Sequence, residues 1–127
     1  LAHPLAMVGS DGLPHDAQPH PRLWGSFPRV LAHYARERGL FDLETAVHKM
    51  TGLTARRFGL AGRGIVAPGA AADLVLFDAD RVQDRARFDD PQAAPAGIPW
   101  VLVNGRVAVE QGEVVELHAG RVLRRVH

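Results

Sequence analysis

The segment Trp100-Val101-Leu102-Val103-Asn104-Gly105-Arg106-Val107-Ala108-Val109 limits the fold more than any other part of the chain. It holds two β-branched runs joined by Asn-Gly, a pair that tolerates positive φ at both positions. The segment therefore predicts a type I′ turn and an antiparallel hairpin. A lone hairpin is marginal in water and needs further strands or a helix against it. Candidates lie nearby. Ala72-Asp73-Leu74-Val75-Leu76-Phe77-Asp78 is an apolar run bounded by acids and preceded by a Pro68-Gly69 turn, and it reads as a buried strand. Gln111-Gly112-Glu113 reads as another turn, followed by short strands at Val114-Val115 and Val122-Leu123 with basic ends at Arg124 and Arg125. A β-rich part thus runs from about residue 60 to the end.

The part before it has a different period. Ser26 can cap a helix and Pro28 suits a first turn, while Val30, Leu31, Tyr34 and Arg38 share one face before Gly39 stops the run. A second helix follows. Asp42 is an N-cap, Leu43, Ala46, Val47 and Met50 recur at helical spacing, and Gly52 stands where a left-handed C-terminal residue is wanted. A short turn at Thr54 to Phe58 ends at Gly59. The division falls at residues 1–59 and 60–127, with Ala61-Gly62-Arg63-Gly64 as a flexible junction.

Of the 127 residues, 46% are hydrophobic and 23% charged, values of a folded chain rather than a disordered one. The net charge of +1 implies no strongly charged partner, and the basic residues are interleaved with acids, against a nucleic-acid surface. No apolar run approaches the roughly 18 residues of a membrane-spanning helix, and no basic stretch leads into an apolar one. The absence of cysteine excludes disulfides and thiolate chemistry in these residues and suits a reducing compartment, so a cytoplasmic location is expected.

Chemistry concentrates between Leu5 and Gly25. Leu5-Ala6-Met7-Val8 reads as a short buried strand, and a long loop rich in Pro, His and Gly follows from Ser10. Asp11 in Ser10-Asp11-Gly12 is placed at a strand's carboxyl end, where barrel enzymes carry catalytic groups; Asp-Gly is equally a turn pair whose carboxylate bonds nearby backbone. His15, Asp16 and His20, with His3, could supply zinc ligands, but their spacing matches no metal motif. Pro14, Pro19 and Pro21 stiffen the loop, in which the histidines can also be incidental. Arg22 closes it, and its fork of donors suits a carboxylate or phosphate, or simply loop carbonyls. His33, His48, His118 and His127 read as surface or core-edge residues.

Taken in order, Met7-Val8-Gly9-Ser10-Asp11-Gly12, Pro19-His20-Pro21-Arg22-Leu23-Trp24-Gly25, Lys49-Met50-Thr51-Gly52-Leu53, Arg57-Phe58-Gly59-Leu60, Ala72-Asp73-Leu74-Val75 and Val103-Asn104-Gly105 resemble the carboxyl-terminal end of the N-acyl-D-amino-acid deacylases, within the amidohydrolase superfamily. Ala-Asp-Leu-Val and Val-Asn-Gly mark only the superfamily; Gly-Ser-Asp-Gly followed by Pro-His-Pro-Arg is more specific. The resemblance implies an α/β protein, a metal-dependent (β/α)8 barrel with a small β-sandwich domain. This chain would carry the last strand (Leu5 to Gly9), the active-site loop and closing helices in 1–59, and the carboxyl-terminal portion of the β-sandwich in 60–127.

The same resemblance implies a zinc-dependent hydrolase in which Asp11 is catalytic and transfers a proton, while Arg22, with His20 and Ser10, binds the substrate and its α-carboxylate. The family's zinc ligands match no residue of this chain, so no metal ligand is assigned here, and the 127 residues alone are expected to be inactive. Expected partners are an N-acyl-D-amino acid and the preceding barrel portion, or a second copy meeting it through exposed apolar faces; no nucleic acid or membrane is expected. Two other readings are a cyclic-amide hydrolase of the hydantoinase or dihydroorotase kind, and a non-catalytic β-rich binding or assembly module.

Overall fold

The structure is a computed structural model that describes residues 1–13 and 15–124. Pro14 in the proline-rich loop, Arg125 at the expected basic end and His127 lie outside the described residues. The element order is α1 (Arg22–Arg29), a π-helical continuation (Val30–Glu37), α2 (Leu43–Met50), α3 (Gly52–Phe58) and strands β1 (Leu74–Leu76), β2 (Trp100–Val103), β3 (Arg106–Glu110) and β4 (Glu113–Val114).

The first helix starts at Arg22, four residues before the expected Ser26 cap. Ser26 instead donates its hydroxyl back to the Arg22 carbonyl at 2.7 Å, a bond that removes it from capping. Pro28 lies inside the helix rather than in its first turn. Its ring nitrogen cannot donate, and the helix widens from Val30 onward, closing through an Arg38 N–H to His33 carbonyl bond. Asp42 caps α2 as expected, accepting the Thr45 N–H at 2.8 Å, and hydrogen bonding from the Thr45 side chain, then from that N–H, holds its carboxyl below the ordinary carboxylate range. Gly52 does not end α2. It opens α3, which terminates at Gly59 with φ +69°.

Val30, Leu31, Ala35, Ala46 and Val82 form the buried core, with Val8, Tyr34, Phe41, Leu43, Val47, Met50, Phe77 and Ile98 packed around it. The helices therefore bury their predicted faces against the 77–98 connection rather than against the sheet. Arg36 fastens that contact, donating to the carbonyls of Ala79 at 3.0 Å and Val82 at 2.8 Å and to Gln83 Oε1 at 2.9 Å.

The sheet is antiparallel throughout, in the order β1-β2-β3-β4. The hairpin stands where the sequence places it, with Asn104 at φ 50° and Gly105 at φ 78°, the positive pair that a type I′ turn demands. Gln111 and Gly112 make a second turn with positive φ into β4. Two expected strands are absent and a third differs in its burial. Leu74–Leu76 forms a strand, but it is short and its Val75 and Leu76, on opposite faces, are exposed rather than buried, because nothing among the described residues covers them. Val122 and Leu123 form no strand and are exposed. Leu5 to Val8 forms no strand: Leu5 is exposed and lies in a turn closed by the Ala6 N–H on the His3 carbonyl at 2.9 Å, and Ala6 to Val8 pair with no neighbouring strand among the described residues. A strand exists only through a hydrogen-bonded neighbour, and the described residues supply none there.

Candidate functional site

Lys49 anchors the approach to the site. It is the one lysine in the chain, it is buried, and its ammonium donates to the His3 carbonyl at 2.6 Å and the Ala6 carbonyl at 3.3 Å. The Phe41 ring lies 5.9 Å from Nζ, within reach of a cation–π contact. Helix α2 thereby holds the segment that runs on to Ser10 and Asp11. Local sequence gives this lysine no role; the available signal is a single Lys beside fourteen Arg.

The chain then crosses the start of α1. A Cβ on Gly12 would stand 2.5 Å from Leu23 Cδ1 and 2.7 Å from Leu23 Cα, closer than folded chains allow, so only glycine lets the loop lie on the helix. That crossing brings Asp11 to Arg22. Arg22 Nε donates to the Asp11 carbonyl at 2.8 Å, and Arg22 Nη2 lies 3.1 Å from Asp11 Oδ2. Asp11 has φ 51°, a left-handed conformation that is uncommon outside glycine and that Asp tolerates better than most. Its carboxylate stays open to solvent at 83% exposure, with Arg22 at 41%. Of the two alternatives for Arg22, the structure shows the loop carbonyl, that of Asp11, with the carboxylate of the same residue beside it.

Ser10 and His20 hold the loop locally. Ser10 Oγ accepts the Gly12 N–H at 3.3 Å. His20 Nδ1 accepts the Arg22 N–H at 3.1 Å, which leaves Nε2 to carry the proton of the neutral ring and present it as a donor. The ring meets Phe88 edge-on, with centroids 5.0 Å apart. Beside it opens a cleft of about 370 Å³ lined by His20, Arg22, Ser26, Arg29, Asp84 and Phe88. Arg29 pairs with Asp84 at 3.1 Å, and that hydrogen bond raises the guanidinium's already high pKa further.

The remaining candidates do not converge. His15 and Asp16 are exposed, and His3 Nδ1 accepts the Leu5 N–H at 3.2 Å. Among the described residues no three His, Asp or Glu side chains gather as metal ligands. The donor set among the described residues does not fit a zinc centre.

The two superfamily motifs turn out to touch. Asp73 Oδ1 accepts the Asn104 N–H at 2.8 Å, Arg63 pairs with the other Asp73 oxygen, and Arg63 Nη2 donates to Asn104 Oδ1 at 2.6 Å. Asn104 Nδ2 in turn donates to the Ala119 carbonyl at 2.7 Å. The expected flexible junction is thus pinned at Arg63, and Asp73 secures a hairpin remote in sequence rather than its own turn.

Residues 1–109 match the profile of the amidohydrolase family, and the chain belongs to that family. It is 61% identical over 125 residues to the D-aminoacylase of Alcaligenes xylosoxydans xylosoxydans, a match covering 98% of this chain and 26% of that protein. A crystal structure of D-aminoacylase, which defined a novel subset of amidohydrolases, superposes with a TM-score of 0.90 at 62% identity, over 94% of this chain and 25% of its own. The N-acyl-D-glutamate deacylase of Bordetella bronchiseptica, solved with zinc and a phosphonate mimic of the tetrahedral intermediate, superposes with a TM-score of 0.83 at 61% identity, over 84% of this chain and 23% of its own. The chain spans about a quarter of the length of the relatives it matches.

Proposed function

We propose that this chain is the carboxyl-terminal segment of a zinc-dependent enzyme that hydrolyses the linear amide of N-acyl-D-amino acids to a D-amino acid and a carboxylate. The observation that carries the reading is the meeting of Asp11 and Arg22, eleven residues apart, within the motifs that resemble the deacylases. Similarity of 61% to a D-aminoacylase across 98% of the chain supports it against the cyclic-amide and non-catalytic readings.

In this reading Asp11 takes a proton from the attacking water and returns it to the departing amine, which its solvent-open carboxylate leaves it free to do. Arg22 binds the substrate α-carboxylate by charge-assisted hydrogen bonds, with His20 Nε2–H as a further donor nearby and Ser10 shaping the loop. The zinc is held by residues other than those described here. Residues 1–59 form the last strand, active-site loop and closing helices of a (β/α)8 barrel, and 60–127 part of a β-sandwich.

Exposed Leu5, Phe88, Leu117 and Val122 are surfaces for the rest of the fold, and the 127 residues alone would self-associate through them and bind hydrophobic dye. A cytoplasmic location is part of the same reading; among the described residues no helix is long and apolar enough to cross a membrane.

The test is hydrolysis of N-acetyl-D-amino acids, their L-enantiomers and five-membered cyclic ureides by the full-length zinc-loaded enzyme that contains this segment. Preferential cleavage of the D-acids is expected. Cleavage of the ureides alone, or of no amide at all, overturns the reading.

A further inference from the structure

We infer that Arg22 works through both edges of its guanidinium, one holding Asp11 in its working geometry and the other receiving the substrate carboxylate. The inference rests on the proposed deacylase reading and adds to it: Arg22 becomes a positioning residue for the proton-transfer group as well as a binding group.

The edge that carries Nε and Nη2 is already committed. Nε bonds the Asp11 backbone carbonyl at 2.8 Å while Nη2 faces its carboxylate at 3.1 Å, so one planar fork grips the main chain and side chain of the same residue. A surface ion pair between such exposed groups would by itself constrain little. The carbonyl bond matters more, because it fixes the peptide plane that follows Asp11, whose left-handed φ of 51° is not one that an unrestrained aspartate favours. Gly12, pressed on Leu23, blocks the loop from settling toward the helix. Asp11 is held between these two contacts.

The edge made by Nη1 and the second N–H of Nη2 has no partner among the described residues. A guanidinium has five N–H donors in a rigid fork, so a carboxylate can dock on this edge without displacing Asp11. Substrate carboxylate and proton-transfer group would then be referenced to one rigid plane. That arrangement sets the distance between the scissile amide and Asp11, where small errors are costly in rate.

A group that only binds the carboxylate should matter only for substrates that have one. A group that also positions Asp11 should matter for all. The experiment measures kcat and KM of the full-length zinc-loaded enzyme on an N-acetyl-D-amino acid and on its carboxamide, for Arg22→Ala and Arg22→Lys, each alone and combined with Asp11→Asn. On the carboxamide, Arg22→Ala should lower kcat by about tenfold or more with KM little changed, and Arg22→Lys should rescue it poorly, having charge without the fork. In the Asp11→Asn background the same replacement should cost less than about twofold, because its effect runs through Asp11. Added guanidinium ion should restore part of the carboxamide turnover of Arg22→Ala, which also shows that the variant is folded.

An unchanged kcat on the carboxamide reduces Arg22 to a carboxylate clamp and overturns the inference. Equal losses with and without Asp11 overturn it too, as a general defect of the loop. Should the unaltered enzyme cleave neither substrate, the deacylase reading itself falls and takes this role of Arg22 with it.

Discussion

Two aspartate–arginine pairs in this chain share the same chemistry and differ in how much of it the fold uses. Asp73 and Arg63 lie at 35% and 12% exposure, and both are tied to the hairpin turn through Asn104. Asp11 and Arg22 lie at 83% and 41% exposure on the rim of a loop, and among the described residues their side chains meet only each other and the Asp11 carbonyl. In the first pair the hydrogen-bonding capacity is used internally, and the Asp73 carboxyl is held below its ordinary range chiefly by the Asn104 N–H, against the opposing effect of burial. In the second, donor edges and carboxylate oxygens remain available to a ligand. The difference teaches that the residue pair does not define a site; the unspent hydrogen-bonding groups do.

The sharpest way to test this contrast is to neutralise each aspartate. Asp11→Asn in the full-length enzyme keeps shape and polarity but removes the proton acceptor, so kcat should fall by about 10² to 10⁴ while the melting temperature stays nearly constant. A steady-state assay beside a thermal melt checks both halves. Turnover close to that of the unaltered enzyme would return Asp11 to the role of a turn residue. Gly12→Ala should come next in size. The added methyl meets Leu23 main chain, the loop must lift, and a displacement of even 1 Å can cost about 10² in rate. Comparing its kcat with that of Gly39→Ala, at a glycine with no neighbour within 4 Å, separates loop placement from general strain.

Asp73→Ala should leave the chemistry nearly intact and loosen the sheet. It removes the acceptor of the Asn104 N–H, a bond to a charged group contributing about 1.5 to 3 kcal/mol, so hydrogen exchange at Asn104 should quicken by roughly ten- to a hundredfold. If turnover fell as far as in Asp11→Asn, the division between a structural and a functional pair would break. The smallest effect expected is that of acid. Because the folded-state pKa of Asp73 is depressed, its contribution to stability is fully present above the unfolded value of about 3.8 and is lost as pH falls through the lower folded value. Protection of the Asn104 amide should therefore hold from neutral pH down to about 4 and decline only below it. A decline beginning near pH 6 would point to a histidine instead.

What could be read directly from the residues was local. Asn104-Gly105 specified its turn because positive φ at two successive positions is a property of those two residues, and Asp42 specified a helix start because its carboxylate reaches an N–H three residues on. Asp11 and Arg22 could be singled out as chemically capable from the same kind of local reasoning, and family resemblance gave them roles. Where the reading failed, a distant partner decided the outcome. Ser26 and Pro28 look like a helix start, yet α1 opens at Arg22 because the loop packs its Gly12 against Leu23 and Ser26 bonds backward. Leu5 to Val8 has strand composition but no neighbour among the described residues, and strand formation is a property of pairs.

The same division separates the site's chemistry from its geometry. Sequence alone determined which groups are present: one carboxylate beside a glycine, one arginine among prolines, one lysine in a chain otherwise using arginine, and no thiol. Only the tertiary structure decided that Lys49 is buried on the carbonyls of His3 and Ala6, that Arg63 reaches Asn104 across 41 residues while pairing with Asp73, and that Arg22 folds one edge of its guanidinium onto Asp11 while the other has no partner among the described residues. Side-chain chemistry is carried by single residues, whereas which hydrogen bonds are spent and which are left for a ligand depends on groups that meet only once the chain has folded.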